Sequence, residues 1–132
     1  MQRLPDWEAR LNGLLDAARV RPFALGAWDC ALFGGAVVEA LTGVDIAAPY
    51  RGRYSTVRGY KRALTAEGHR DIFGPFAAVG EAAALLQLRR GDIVSNGEAV
   101  GMLWHGCGLF LRPDAGFERV PLRLVRHGWR IG

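Results

Sequence analysis

Pro22-Phe23-Ala24-Leu25-Gly26-Ala27-Trp28-Asp29-Cys30-Ala31-Leu32-Phe33 is the stretch on which the reading of this chain turns. An apolar run with helical spacing leaves it: Leu32, Phe33, Ala36, Val37, Ala40 and Leu41 share one face. Asp29 stands where such a helix needs a side-chain acceptor for its first free N–H groups, so it reads as the N-cap. Gly43 ends the run as a left-handed C′ residue. The small residues Ala31, Gly34, Gly35 and Ala36 let other elements approach closely, so this helix is expected at the centre of the fold. Cys30 then falls at the first helical position. The free N–H groups and the positive end of the dipole there favour a thiolate and can face an oxyanion.

Upstream, Trp7, Leu11, Leu14, Leu15 and Ala18 fall on one face of a first helix. Pro5 suits its first turn, Arg19 and Arg21 its negative end, and Pro22 stops it. Downstream, Thr56 caps a third helix to about Ala66, closed by Gly68. Ile72 to Leu88 reads as helical or irregular, broken at Gly74-Pro75. From Arg89 the pattern becomes short strands: Asp92–Ser95, Ala99–Trp104, Cys107–Leu111, Phe117–Val120 and Trp129–Ile131. Asn96-Gly97 predicts a type I′ hairpin between the first two, and Pro113-Asp114-Ala115-Gly116 another turn. Helices first and strands second predict an α+β domain, with N-terminal helices packed on a small C-terminal antiparallel sheet. At 132 residues the chain fits a single domain spanning 1–132.

Half of the residues are hydrophobic, enough for a real core, yet no run approaches the roughly 18–20 apolar residues of a membrane helix. Met1-Gln2-Arg3-Leu4-Pro5-Asp6 has no apolar run after its charge, so no secretory signal is expected and synthesis in the cytoplasm is. The net charge is +4 and Lys61 is the only lysine. The arginines are scattered, with short clusters at Arg51/Arg53 and Arg89/Arg90, which counts against a nucleic-acid partner. Cys30 and Cys107 form no CxxC pair, so no metal or redox motif is indicated, and Cys107 reads as a small buried hydrophobe. No GxGxxG or phosphate loop occurs, and no cofactor is expected.

The stretch from Pro22 to Phe33 resembles the nucleophile segment of NlpC-type papain-like cysteine peptidases, where an aromatic-and-glycine lead enters Asp-Cys and an apolar helix. Arg90-Gly91-Asp92-Ile93-Val94 resembles the family's Pro-Gly-Asp-Leu-Val strand, and Val100-Gly101-Met102 its next strand, normally His-Val-Gly-Ile. The resemblance covers about residues 20–112 and implies a papain-like fold acting on peptidoglycan stem peptides or related amides. It maps the nucleophile to Cys30, the general base to Ala99 and a third polar position near Leu111, so both polar partners are missing. His105 lies in a turn about 20 Å along the strand from Ala99. His69 reads as a loop residue. His127, before the last strand, is the remaining candidate base. Asp29 reads as a cap rather than a base.

A second resemblance covers nearly the whole chain. Asp6-Trp7-Glu8, Asp29-Cys30-Ala31, Leu41-Thr42-Gly43, Arg51-Gly52-Arg53-Tyr54 and Val120-Pro121-Leu122 with Trp129-Arg130 are similar to an uncharacterised family of small proteins. These are encoded among tail genes of siphophages and gene-transfer agents, and they look like a degenerate branch of the same fold. The resemblance implies a tail-tip or baseplate role, made in the host cytoplasm and assembled into the virion tail; with no base mapped beside Cys30, a structural, catalytically inactive component is expected. Its partners would be other tail-tip or hub proteins. The alternative is an active cysteine amidase or endopeptidase that opens host peptidoglycan during genome entry, with His127 or a partner's group as base. Arg51, Arg53 and Tyr54 are candidate contacts to a partner or a carboxylate, or else a solvated loop. Trp104, Trp129, Phe110 and Phe117 read as core.

Overall fold

The computed structural model describes residues 1–132. The helical stretches come first: α1 (Trp7–Ala18), α2 (Cys30–Thr42), α3 (Val57–Ala66) and α4 (Gly74–Val79). Strands β1 (Glu81–Ala82), β2 (Ile93–Ser95), β3 (Val100–Trp104), β4 (Cys107–Leu111), β5 (Phe117–Pro121) and β6 (His127–Arg130) follow. They form one six-stranded sheet in the order β1-β6-β2-β3-β4-β5, every pair antiparallel. The α+β class and the order of helices before strands agree with the sequence pattern.

The caps explain the helix ends. Asp29 is extended and accepts from Leu32 N–H, while Gly43 sits at φ 79° and closes α2. Thr56 caps α3 through Gly59 N–H. The predicted centrality of α2 is visible in its glycines. A Cβ on Gly34 would lie 2.6 Å from Phe76 of α4 and 3.0 Å from Val100 of β3, and one on Gly35 would lie 2.7 Å from Ala47. Side chains at 34 and 35 would therefore push away the elements that α2 organises. Phe33, Val37 and Leu41 of α2 meet Leu11 of α1 and Ile93, Val100 and Met102 of the sheet in the main core.

Three details depart from expectation. Gly74-Pro75 does not break a helix but begins one, because proline fits the first turn, where its missing N–H costs nothing. Asn96-Gly97 does not make a two-residue turn. Ser95 pairs with Val100, and the Asn96 side chain accepts from the N–H groups of Glu98 and Ala99, holding a four-residue loop. The two-residue turn with positive φ at both centres falls instead on His105 (φ 44°) and Gly106 (φ 79°), between the paired Trp104 and Cys107. The short edge strand β1 had no signal in the sequence, since two residues carry no alternation.

A buried clasp joins the ends of the chain. The Arg3 guanidinium donates to the Ile131 and Arg90 carbonyls and to Asp92 Oδ1 at 2.7 Å. Asp92 also accepts from Ile131 N–H and Arg89 N–H, and is fully buried. Burial pulls the Arg3 pKa down, against the pull of Asp92. The aspartate of the Arg90–Val94 motif is therefore fully occupied inside the fold.

Candidate functional site: the Asp29-Cys30 corner

The chain enters α2 through a tightly tied loop. Ala24 and Trp28 exchange backbone hydrogen bonds, and Phe23 N–H reaches Asp114 O at 2.8 Å. Arg21 lies 4.3 Å over the Trp28 ring. The buried Trp28 indole N–H has no hydrogen-bond partner. Gly26 is at φ 80°, and a Cβ there would lie 1.8 Å from the Tyr54 carbonyl, so no other residue fits. Gly26 O in turn accepts from Gly52 N–H at 2.8 Å.

Asp29 ties this loop to the segment from Arg51 to Tyr54. Its Oδ1 accepts from Leu32 N–H and its Oδ2 from Gly26 N–H, each at 3.0 Å. Oδ2 also accepts the Tyr54 hydroxyl. Asp29 is 3% exposed. With three donors converging on it, it is committed as a cap, as the sequence suggested. Burial first, and then the Asp29 hydrogen bond, push the Tyr54 phenol pKa well above its usual range.

Cys30 is half-buried at the first position of α2. Burial pushes its thiol pKa up, and the neighbouring Asp29 charge adds to this. The N–H groups of Val100, Ala31 and Cys30 itself turn toward the sulfur and oppose the shift without cancelling it. The expectation that the helix end makes this a low-pKa thiol is thus corrected, because desolvation outweighs the helix terminus. No side chain hydrogen-bonds to the sulfur.

The sheet register shows what flanks Val100, whose N–H faces that sulfur. Ser95 lies across from Val100 on one side and from His127 on the other. Continuing the β3–β4 register sets Leu111 across from Val100, and Leu111 pairs with Phe117. Phe117, Leu111, Val100, Ser95 and His127 therefore form one row on the face that carries α2. The Val100 N–H faces the Cys30 sulfur, and Leu111, near which the third catalytic position maps, stands beside Val100 in this row and is apolar. Ala99 precedes Val100, but its methyl packs toward the cluster on the opposite face. His127 shares the row and the face but stands two strands from Val100, roughly 10 Å between backbones at ordinary strand spacing. Its ring lies 6.0 Å from Phe73 and 6.3 Å from Trp129. His105 occupies the turn foreseen for it. His69 is half-buried and packs on Gly74.

The Arg51, Arg53 and Tyr54 group is divided. Arg51 makes a two-pronged ion pair with Asp45 at 3.1 and 2.9 Å, which holds the Asp45 pKa below its usual range. Tyr54 grips a carboxylate, but it is Asp29 of the same chain. Only Arg53 remains exposed and unpaired, beside a shallow groove with Arg62 and Glu67. Trp129 and Phe110 are buried, and Trp104 and Phe117 pack against the main core, as their apolar setting suggested. Two neighbours escaped sequence reasoning. Ser95 is fully buried and one strand from Val100. Tyr60 has its phenol pKa pushed up chiefly by burial and then by Cys30. Neither belongs to a local motif, and only the register and the α3 docking bring them here.

The geometry now bears on kinship, since one family model accounts for almost the whole chain. The chain belongs to the family described as Domain of unknown function (DUF6950). The match runs over residues 2–131 and so takes in the Arg3–Asp92 clasp, the Asp29-Cys30 corner and all six strands. No curated protein and no solved structure matches the chain.

Proposed function

We infer that this chain is a structural component of a phage or phage-like tail tip or baseplate, made in the host cytoplasm and assembled into the virion. In this reading it is built on a papain-like, NlpC-type fold whose peptidase site has decayed. The observation that carries the reading is the state of Cys30. It keeps the position of a nucleophile, at a helix N-terminus with N–H groups turned to the sulfur, but burial raises its pKa and no base touches it. Amide cleavage needs a thiolate and then a proton delivered to the leaving amine. Val100, Leu111 and Ser95 supply neither. The other supports are the motif order around Asp29-Cys30, Asp92 and Val100, and the resemblance to tail-gene proteins along the chain. Neighbouring tail-tip or hub proteins are the partners this reading names.

One observation favours the alternative, an active cysteine amidase or endopeptidase on host peptidoglycan: His127 lies on the same face and row as the contact with Cys30. The two readings separate by iodoacetamide labelling of Cys30 across pH in a Cys107→Ser background. A raised thiol gives a rate that climbs with a midpoint above about 8.5, the ordinary thiol value. A midpoint below about 7 that moves upward in His127→Ala would overturn the inactive reading. So would release of peptidoglycan fragments by the wild type that Cys30→Ala abolishes.

A further inference from the structure

The face of the sheet opposite α2 carries apolar surface that the chain only partly covers. Val94, Leu103, Phe110 and Val125 form its buried floor. Two 3₁₀ turns cross it, Leu85–Gln87 after β1 and Leu122–Leu124 after β5. Each turn packs leucines down and presents another outward. Leu85 and Leu88 meet the floor while Leu86 is 96% exposed, and Leu122 meets it while Leu124 is 52% exposed. A groove of about 560 Å³ runs over this face, lined by Trp7, Leu85, Leu88, Leu103 and Leu122. Single exposed leucines are ordinary on a protein surface, but two on the turns that frame one apolar groove mark a contact face.

The charge around the groove is net positive. Arg89, which also donates to the Gly132 carbonyl, and Arg90 line it, and Arg123 is exposed on the second turn, next to the lining Leu122. The nearby acid, Glu8, is paired with Arg90, whose guanidinium lies 5.4 Å from both Trp7 and Trp104. Arg123 has no ion-pair partner in the chain. We propose that this groove docks an acidic amphipathic segment of a protein partner. The segment's apolar side chains enter beside Leu86, over Leu88, Leu103 and Leu122, and its carboxylates meet Arg89 and Arg123. A second copy of this chain is a poor occupant, because it would set the same arginines against one another on a chain of net charge +4. A lipid surface is flat on this scale and would leave the concavity unfilled. The chemistry of this face stands apart from the state of Cys30, and only the expectation that the partner is a tail protein rests on that reading.

The test uses the full chain and a fluorescein-labelled helical peptide of about 14 residues, with leucines along one face and glutamates beside them. Two control peptides replace the glutamates by lysines or the leucines by serines. Anisotropy should show the acidic amphipathic peptide binding about tenfold more tightly than either control, and less tightly as salt rises. The double variant Leu86→Ser/Leu124→Ser should weaken binding about tenfold, as loss of two apolar anchors implies, and Arg123→Glu should weaken it as well and flatten its salt dependence. All three positions are exposed, so the fold should survive, and a thermal melt of each variant verifies it. Arg53→Ser, outside the groove, should bind like the wild type. Equal binding of the control peptides, or unchanged binding by the leucine variant, overturns the proposal. It is overturned equally by stronger binding to phosphatidylglycerol vesicles or duplex DNA than to the peptide. Self-association in sedimentation that Leu86→Ser abolishes would also overturn it.

Discussion

Replacing Asp29 separates a carboxylate that holds the corner together from one that serves chemistry. In Asp29→Ala the Leu32 N–H loses its cap, at about 0.5–2 kcal/mol. The Gly26 N–H and the Tyr54 hydroxyl lose their acceptor inside a buried site, at about 1–3 kcal/mol each. Relaxation shares part of this, so the expected total is about 3–5 kcal/mol, a fall in Tm of roughly 10–20 °C for a domain of this size. Asp29→Asn keeps the shape but has one acceptor oxygen. If that oxygen serves Leu32, the amide NH₂ faces the Gly26 N–H, two donors against each other, so the cost is about 1–3 kcal/mol. The assay is urea unfolding of both variants and of Tyr54→Phe, closed as a double-mutant cycle. Tyr54→Phe alone should cost about 1.5–3 kcal/mol, the range of a hydrogen bond to a charged group, and close to nothing in the Asp29→Ala background. Additive effects, or an Asp29→Asn protein within 0.5 kcal/mol of wild type, would show that the three-donor network does not hold the corner.

Three further outcomes follow from the same contacts. Arg3→Met leaves Asp92 charged and fully buried without its ion-pair partner, so unfolding should show a loss of about 3–5 kcal/mol. The double change Arg3→Met/Asp92→Leu should recover part of that loss, and failure to do so would point to packing rather than charge. The phenols of Tyr54 and Tyr60 have folded pKa values above their unfolded ones. Their contribution is therefore complete below the unfolded value of about 10 and declines as pH rises beyond it. Urea midpoints between neutral pH and pH about 11 should fall in the alkaline range, and Tyr54→Phe should flatten the fall; an identical profile in that variant would refute the assignment. Cys30→Ala removes one half-buried sulfur with no side-chain hydrogen bond, so it should cost about 1 kcal/mol or less, and a loss above about 3 would mean that the thiol is structural.

The caps and the core were readable because they are local. Asp29, Gly43 and Thr56 act within four residues of themselves, and the stripe on α2 announces its buried face. The turn chemistry was harder. Asn96-Gly97 is the stronger signal by composition, yet the Asn96 side chain is drawn into capping two N–H groups and the loop widens. His105 takes the left-handed conformation because the pairing of Trp104 with Cys107 leaves only two residues for the turn. The site was legible in half. Cys30 was placed by its own helix, whereas Ser95, Leu111 and His127 were brought into one row by a register no local motif specifies. The destination of Tyr54 was hidden for the same reason: its partner lies 25 residues away and depends on the close approach at Gly26.

The Asp-Cys pair therefore divides into two residues with different physical obligations. Gly26, Asp29 and Tyr54 constrain one another: a larger residue at 26 collides with Tyr54, and a change at 29 strands two buried donors. Those demands are met whether or not the cysteine reacts, so this part of the resemblance to a nucleophile segment carries the fold rather than the chemistry. Cys30 has no such obligation. An alanine or serine would fill its place, and nothing in the corner hydrogen-bonds to it through a side chain. Two properties of the site compete at that sulfur. The N–H groups turned toward it are inherited from the helix start and the edge of β3, which the fold keeps for other reasons, while the apolar flank of Val100 and Leu111 withholds the polar partner that would make them useful. A base supplied from outside would have to enter over Ser95 and His127, where the row turns polar. On the proposed reading, that is the side from which a partner's group would reach Cys30, and it lies on the face opposite the arginine-rimmed groove.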